Sequence, residues 1–140
     1  METIITYLKT QIKRPWTIQL IGAGLAMLVV AAIVGVSDNP PGLIIAFIAM
    51  ILLGFSLVHH WREPRLFGTL LAVSAISFPV LVLLHNVFDG INQQIGSIIV
   101  VNQLLECFAV ISFLAAIFLA PAGIAIGIFA GLFYLIKSKF

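Results

Sequence analysis

The sequence predicts an all-α integral membrane protein: a bundle of four transmembrane helices with both termini cytoplasmic and an N-terminal amphipathic helix on the membrane surface. Three observations carry this. First, 62% of the 140 residues are hydrophobic and only 9% are charged, with a mean hydropathy of +1.23. Soluble domains carry about 25% charged residues, and no soluble fold of this size has the interior to hide so much apolar surface. Second, the apolar residues fall into runs long enough to cross about 30 Å of hydrocarbon, which takes about 20 residues. Third, with four crossings all seven Lys and Arg fall on one side of the membrane.

The elements follow in order. In residues 2–14, "ETIITYLKTQIKR", Ile4, Ile5, Leu8 and Ile12 share one face, as in a helix lying at the interface. Residues 16–36 form the first crossing. Lys9, Lys13 and Arg14 precede it, as they would a signal peptide, but the run exceeds the roughly 7–15 apolar residues of a signal core and reads as a retained helix. It ends at "SDNPPG", where Asp38 and Asn39 favour a turn and Pro40 and Pro41 lack amide donors. Residues 43–60 form the second crossing, closed by "HHWREPR", and residues 66–88 the third. Residues 90–103, "GINQQIGSIIVVNQ", space isoleucines among amides and read as an outer interfacial segment. Residues 104–136 form the fourth crossing, with Pro121 near its middle.

Charge decides the count. Two crossings in the last apolar region would carry Lys137 and Lys139 to the side that holds Asp38, Asp89 and Glu106. One crossing keeps every basic residue on the inside. Trp16, Trp61, Tyr7 and Tyr134 then lie near the same inner boundary, as an aromatic belt does. The expected location is a plasma (inner) membrane of prokaryotic type. Such strong charge bias excludes dual-topology transporters and fluoride channels, and the first helix lacks the glutamate of small multidrug transporters.

Few residues carry candidate chemistry. His85 and Asp89 are four apart on one helical face, and Glu106 lies near the same outer boundary. Imidazole and carboxylates gathered there suit a divalent cation or a proton relay. His59 and His60 lie at the opposite face from His85, so bis-histidine haem ligation within the chain is geometrically excluded, whereas one histidine suffices as an axial ligand to haem or chlorophyll. No cofactor is required by the sequence. Gly123, Gly127 and Gly131 step by four along the fourth helix and form a groove for close helix packing, a glycine-zipper pattern; Gly22, Ala26, Ala31 and Gly35 form a weaker one on the first. Cys107, the one cysteine, excludes an internal disulfide and any thiolate cluster.

"FSLVH" (Phe55 to His59) and "HNVFD" (His85 to Asp89) resemble the FxxxH and HxxxN/D elements of intramembrane CAAX-type proteases. The resemblance implies histidines that help a glutamate activate water. The chain has no EExxxR element, and its topology separates the two histidines across the bilayer. There is also no phosphate loop, no GxSxG elbow and no HExxH helix. The expected function is therefore non-catalytic: a small accessory or assembly subunit of a larger membrane complex, partnered by lipid and by other membrane subunits or its own copies, with no role for nucleic acid. The rival expectation is a small transporter or a metal- or proton-handling protein using the outer His/Asp/Glu set.

Overall fold

A computed structural model describes residues 14–36, 39–95 and 99–138. The expected surface helix over residues 2–14, apart from Arg14, lies outside the described residues, as does Asp38. The described chain is all-helical, and four helices are long and apolar enough to cross a membrane. They are α1 (Pro15–Val34), α2 (Pro40–Val58), α3 (Pro64–Ile95), and a last span built from α4 (Ile99–Leu114), a π-helical turn (Ala115–Leu119) and α5 (Ala120–Lys137).

Prolines start three of these helices, among them Pro40, which the sequence marks only as a stop. Pro15, Pro40 and Pro64 each open a first turn, where the missing N–H would be unpaired anyway and φ is already helical. Hence α2 begins at Pro40 rather than 43. At the α1–α2 turn Gly35 has φ +92, the left-handed region that favours glycine. Its N–H bonds the Ala31 carbonyl at 2.9 Å, and Asn39 Nδ2 donates to the Val34 carbonyl at 2.8 Å. The end of α1 is thereby capped.

α1 packs on α2, α3 packs on the last span along its length, and α2 joins the two pairs through α5. The α1–α2 seam is made of small residues. Thr17, Gly24 and Ala31, spaced by seven, are buried against a face of α2 that buries Gly42, Ala46, Ala49 and Ser56. A Cβ on Gly24 would meet Leu53 Cγ at 2.7 Å, and one on Gly42 would collide with the Gly35 carbonyl oxygen. Ala31 and Gly35 therefore lie on the packing face, but Gly22 and Ala26 do not. Gly22 faces open space.

The core sits at the end of the bundle that carries Arg14, Arg62, Arg65 and Lys137. Val58, Phe67 and Ile126 are buried there, from α2, α3 and α5, with Trp61 and Tyr134 packed against them.

The helix boundaries at the other end differ from the sequence reading. α3 does not stop at 88. It runs through Gly90 to Ile95, and Gln93 Nε2 donates to Asp89 Oδ2 at 2.8 Å, an i,i+4 bond that supports the extra turns. The described residues of the region 90–103 are helical: they extend α3 and begin α4, which starts at Ile99 rather than 104. Pro121 neither breaks nor ends the last span. The preceding turn widens to a π-helix, and Ala120 N–H reaches back to the Ala115 carbonyl. Pro79 likewise sits inside α3.

Candidate functional site

Helix length sets the geometry of the end of the bundle away from Arg62, Arg65 and Lys137. At about 1.5 Å per residue the four spans measure roughly 30, 28, 46 and 57 Å. The first two match a bilayer. Containing the other two within about 30 Å would take tilts of roughly 50° and 60°, beyond the 0–40° range of membrane helices. The packing shows where the surplus goes. Ile117 and Phe118 of the π turn line one cavity with Leu43, Ile44 and Phe47, at the N-terminal end of α2. Everything in the last span before that turn, and the α3 residues beside it, extends past the α1–α2 pair. The result is an overhanging two-helix hairpin, roughly residues 82–95 and 99–114.

The hairpin is held by a narrow seam. Phe88 lies 5.5 Å from Phe108 and His85 5.0 Å from Phe113, measured between ring centroids. Ala109 and Ser112 are buried. Most of the other side chains have no cover: Val100 is 67% exposed and Leu83 63%, and Leu104, Ile111 and Leu114 are also exposed. Two helices in contact along one seam cannot bury apolar residues that face all round. Near the tip, Asn92 and Asn102 turn their Oδ1 atoms inward with no hydrogen-bond partner, an arrangement that costs about 1–3 kcal/mol per group.

The polar residues foreseen for this end are present but are not gathered into one site. His85 Nδ1 lies 3.0 Å from the Ala109 carbonyl oxygen. A carbonyl only accepts, so Nδ1 carries the hydrogen and Nε2 faces away. Asp89 is exposed and engaged with Gln93, while Glu106 and Cys107 are exposed on α4. Among the described residues no three His, Cys, Asp or Glu side chains stand close enough together to hold a metal ion, and His85, Asp89 and Glu106 form no such set. The Ala109 acceptor is 24 residues away from His85 and belongs to the backbone, so no residue pattern announces it.

Gly123, Gly127 and Gly131 face α3. A Cβ on Gly127 would lie 2.8 Å from Leu71 Cβ and 3.0 Å from the Leu71 Cα and N. One on Gly131 would lie 3.3 Å from Phe67 Cβ, and one on Gly123 would collide with the Ser74 hydroxyl. This stripe packs against α3 within the chain, with Gly131 half-buried at the edge of an external groove. Beside it, α2 and α3 diverge above α5 and leave a lateral cleft of about 380 Å³, apolar except for Ser74 and Ser77.

The opposite end carries the remaining histidines. His59 Nδ1 donates to the Ser56 carbonyl at 2.9 Å. Phe67 is fully buried and stacks on Tyr134 at 5.6 Å, and Trp61 meets its edge at 5.5 Å. Arg62 Nη1 donates to Tyr134 Oη at 2.7 Å. Burial, then the positive charges of His59, Arg14 and Arg62, hold His60 below its ordinary pKa. His59 and His85 stand at opposite ends of the bundle, so the two pentapeptides that resemble protease elements are not assembled into one site. No family model, no curated protein and no solved structure matches the chain.

Proposed function

We propose that this chain is a non-catalytic accessory or assembly subunit of a larger membrane complex, and that the α3–α4 hairpin is its docking surface. The observation that supports it is the overhang: the two spans that form the hairpin are longer than the bilayer is thick, and their projecting ends carry exposed apolar side chains all round. Contiguous apolar surface outside the hydrocarbon marks an interaction site. The partner is a different membrane protein rather than a second copy. The hairpin carries Asp89 and Glu106 and, among its described residues, no Lys or Arg, so parallel copies would bring acid against acid.

In the same proposal both termini are cytoplasmic, the hairpin is on the outer side, and the membrane is a prokaryotic plasma membrane. The charge distribution supports the orientation: Arg14, Arg62, Arg65 and Lys137 cluster at one end with Trp61 and Tyr134. The test is gentle copurification. In mild detergent the wild-type chain brings down one defined membrane protein, and Leu104→Glu, on the exposed face of the hairpin, folds but loses it. A chain that elutes alone in every mild detergent overturns the reading.

One observation favours a second reading. A histidine whose Nδ1–H is pinned to a carbonyl presents Nε2, as metal-ligating histidines do. His85 would then be a single axial ligand to haem or chlorophyll held with another subunit. A visible absorption spectrum of the intact complex, with His85→Ala as control, discriminates: a colourless complex removes this reading.

A further inference from the structure

We infer that the inner end of the α3–α5 groove is a binding site for one anionic phospholipid. The headgroup phosphate pairs with Arg65 and an acyl chain lies along the groove over Gly68 and Gly131. This goes beyond the docking proposal and does not depend on it.

The groove measures about 440 Å³ and is lined by residues of α3 and α5, including Arg65, Gly68, Leu71, Gly131 and Leu135. Its walls are apolar, and it lies on the outside of the bundle over a membrane-crossing stretch, so hydrocarbon is the medium that fills it. What distinguishes it from an ordinary lipid-facing furrow is its end. Arg65 is the one charged residue of its lining. It stands in the first turn of α3, at the level where Trp61, Arg62 and Tyr134 mark the headgroup boundary.

The local charge balance is positive. Arg14, Arg62 and Lys137 share this end with Arg65, and Glu63 is the only acidic side chain among the described residues there. Arg62 is turned to Tyr134, whereas Arg65 is exposed and makes no ion pair with Glu63. A guanidinium with its fork unused suits a phosphate, which accepts it in two parallel bonds. The glycines serve the tail. A Cβ on Gly68 would meet nothing within 4 Å, so the groove stays open at that point for a chain to lie flat against the backbone. Headgroup charge and tail groove are contiguous, as a phospholipid requires and as a soluble phosphate does not.

The experiment is native mass spectrometry of the full chain released from nanodiscs of phosphatidylcholine with or without phosphatidylglycerol. The wild type retains one phosphatidylglycerol in preference to phosphatidylcholine. Arg65→Gln lowers that retention about fivefold, the effect of one basic residue at an anionic membrane surface. Gly68→Leu, whose Cβ meets nothing within 4 Å and whose side chain enters the groove, lowers retention of both lipids. Gly22→Leu, on the open face of α1, changes nothing and controls for general lipid contact. Circular dichroism confirms that each variant folds. Equal retention of the two lipids by the wild type overturns the proposal. So does undiminished phosphatidylglycerol in Arg65→Gln, or an equal loss in Gly22→Leu. Competition by inorganic phosphate alone also overturns it, because the site would then need no tail.

Discussion

Replacing Gly127 by Ala tests how the two long helices are held together. The added Cβ would stand 2.8 Å from Leu71 Cβ and 3.0 Å from the Leu71 Cα and N, where ordinary contact begins near 3.4 Å. Two of those three atoms are backbone, so no side-chain rotation relieves the clash. The helices must separate by roughly half an ångström to 1 Å, and a gap of that size forfeits a quarter to a half of each neighbouring dispersion contact. Overpacking of this kind costs about 1–3 kcal/mol. Alanine also has the better helix propensity, by about 1 kcal/mol. Gly22→Ala cancels that term, because its Cβ meets nothing within 4 Å. Reversible unfolding by SDS titration in mixed micelles should place Gly127→Ala about 1–3 kcal/mol below Gly22→Ala. Equal stability of the two variants would refute the reasoning, since the seam would then not depend on backbone approach at Gly127.

The other predictions concern the two ends. In intact cells a membrane-impermeant maleimide should label Gln94→Cys, at an exposed position near the tip of the overhanging hairpin, in a Cys107→Ser background; labelling that appears only after the membrane is opened would reverse the orientation. His60 is held below its ordinary value of about 6.5, so between the two values the unfolded chain binds more protons. That contribution to stability is fully present above about pH 6.5 and is lost as pH falls through the lower folded value. His60→Gln should flatten the decline in an unfolding titration between pH 7 and 5, and an unchanged slope would exclude His60 as its source. Tyr134→Phe removes the acceptor of Arg62 but keeps the ring stack on Phe67, so thermal unfolding should register a loss of about 0.5–1.5 kcal/mol. A larger loss would mean that the stack itself had moved.

Much of this fold is legible in the residues because lipid imposes long apolar runs and the basic residues mark one end of each. The expected bounds of the first two crossings lie within about three residues of α1 and α2, whereas α3 runs seven residues past 88 and α4 begins five before 104. What sequence spacing does not carry is where hydrocarbon stops. Residues 99–114 are largely apolar, so nothing in their composition separates them from the span that follows, and the overhang stays hidden. Isoleucines spaced among amides over 90–103 read as a separate segment, yet the Asp89–Gln93 bond and the absence of proline let α3 continue to Ile95. On α1 a four-residue pattern pointed to Gly22 and Ala26, while the buried face follows the seven-residue spacing of Thr17, Gly24 and Ala31. Thr17 at one end of that series is polar, which masks it. The setting of His85 was beyond reach because its partner is a main-chain carbonyl.

The measurement that bears most directly on the docking proposal is photo-crosslinking in native membranes. A photoreactive residue at Leu104 or Ile111, both exposed on the hairpin, is compared with one at Val29, equally exposed on α1. The hairpin positions should yield one discrete adduct with a different membrane protein, and Val29 should yield lipid adducts only. Absence of a protein adduct at both hairpin positions, an equal adduct from Val29, or an adduct at twice the 15.2 kDa of this chain would contradict it.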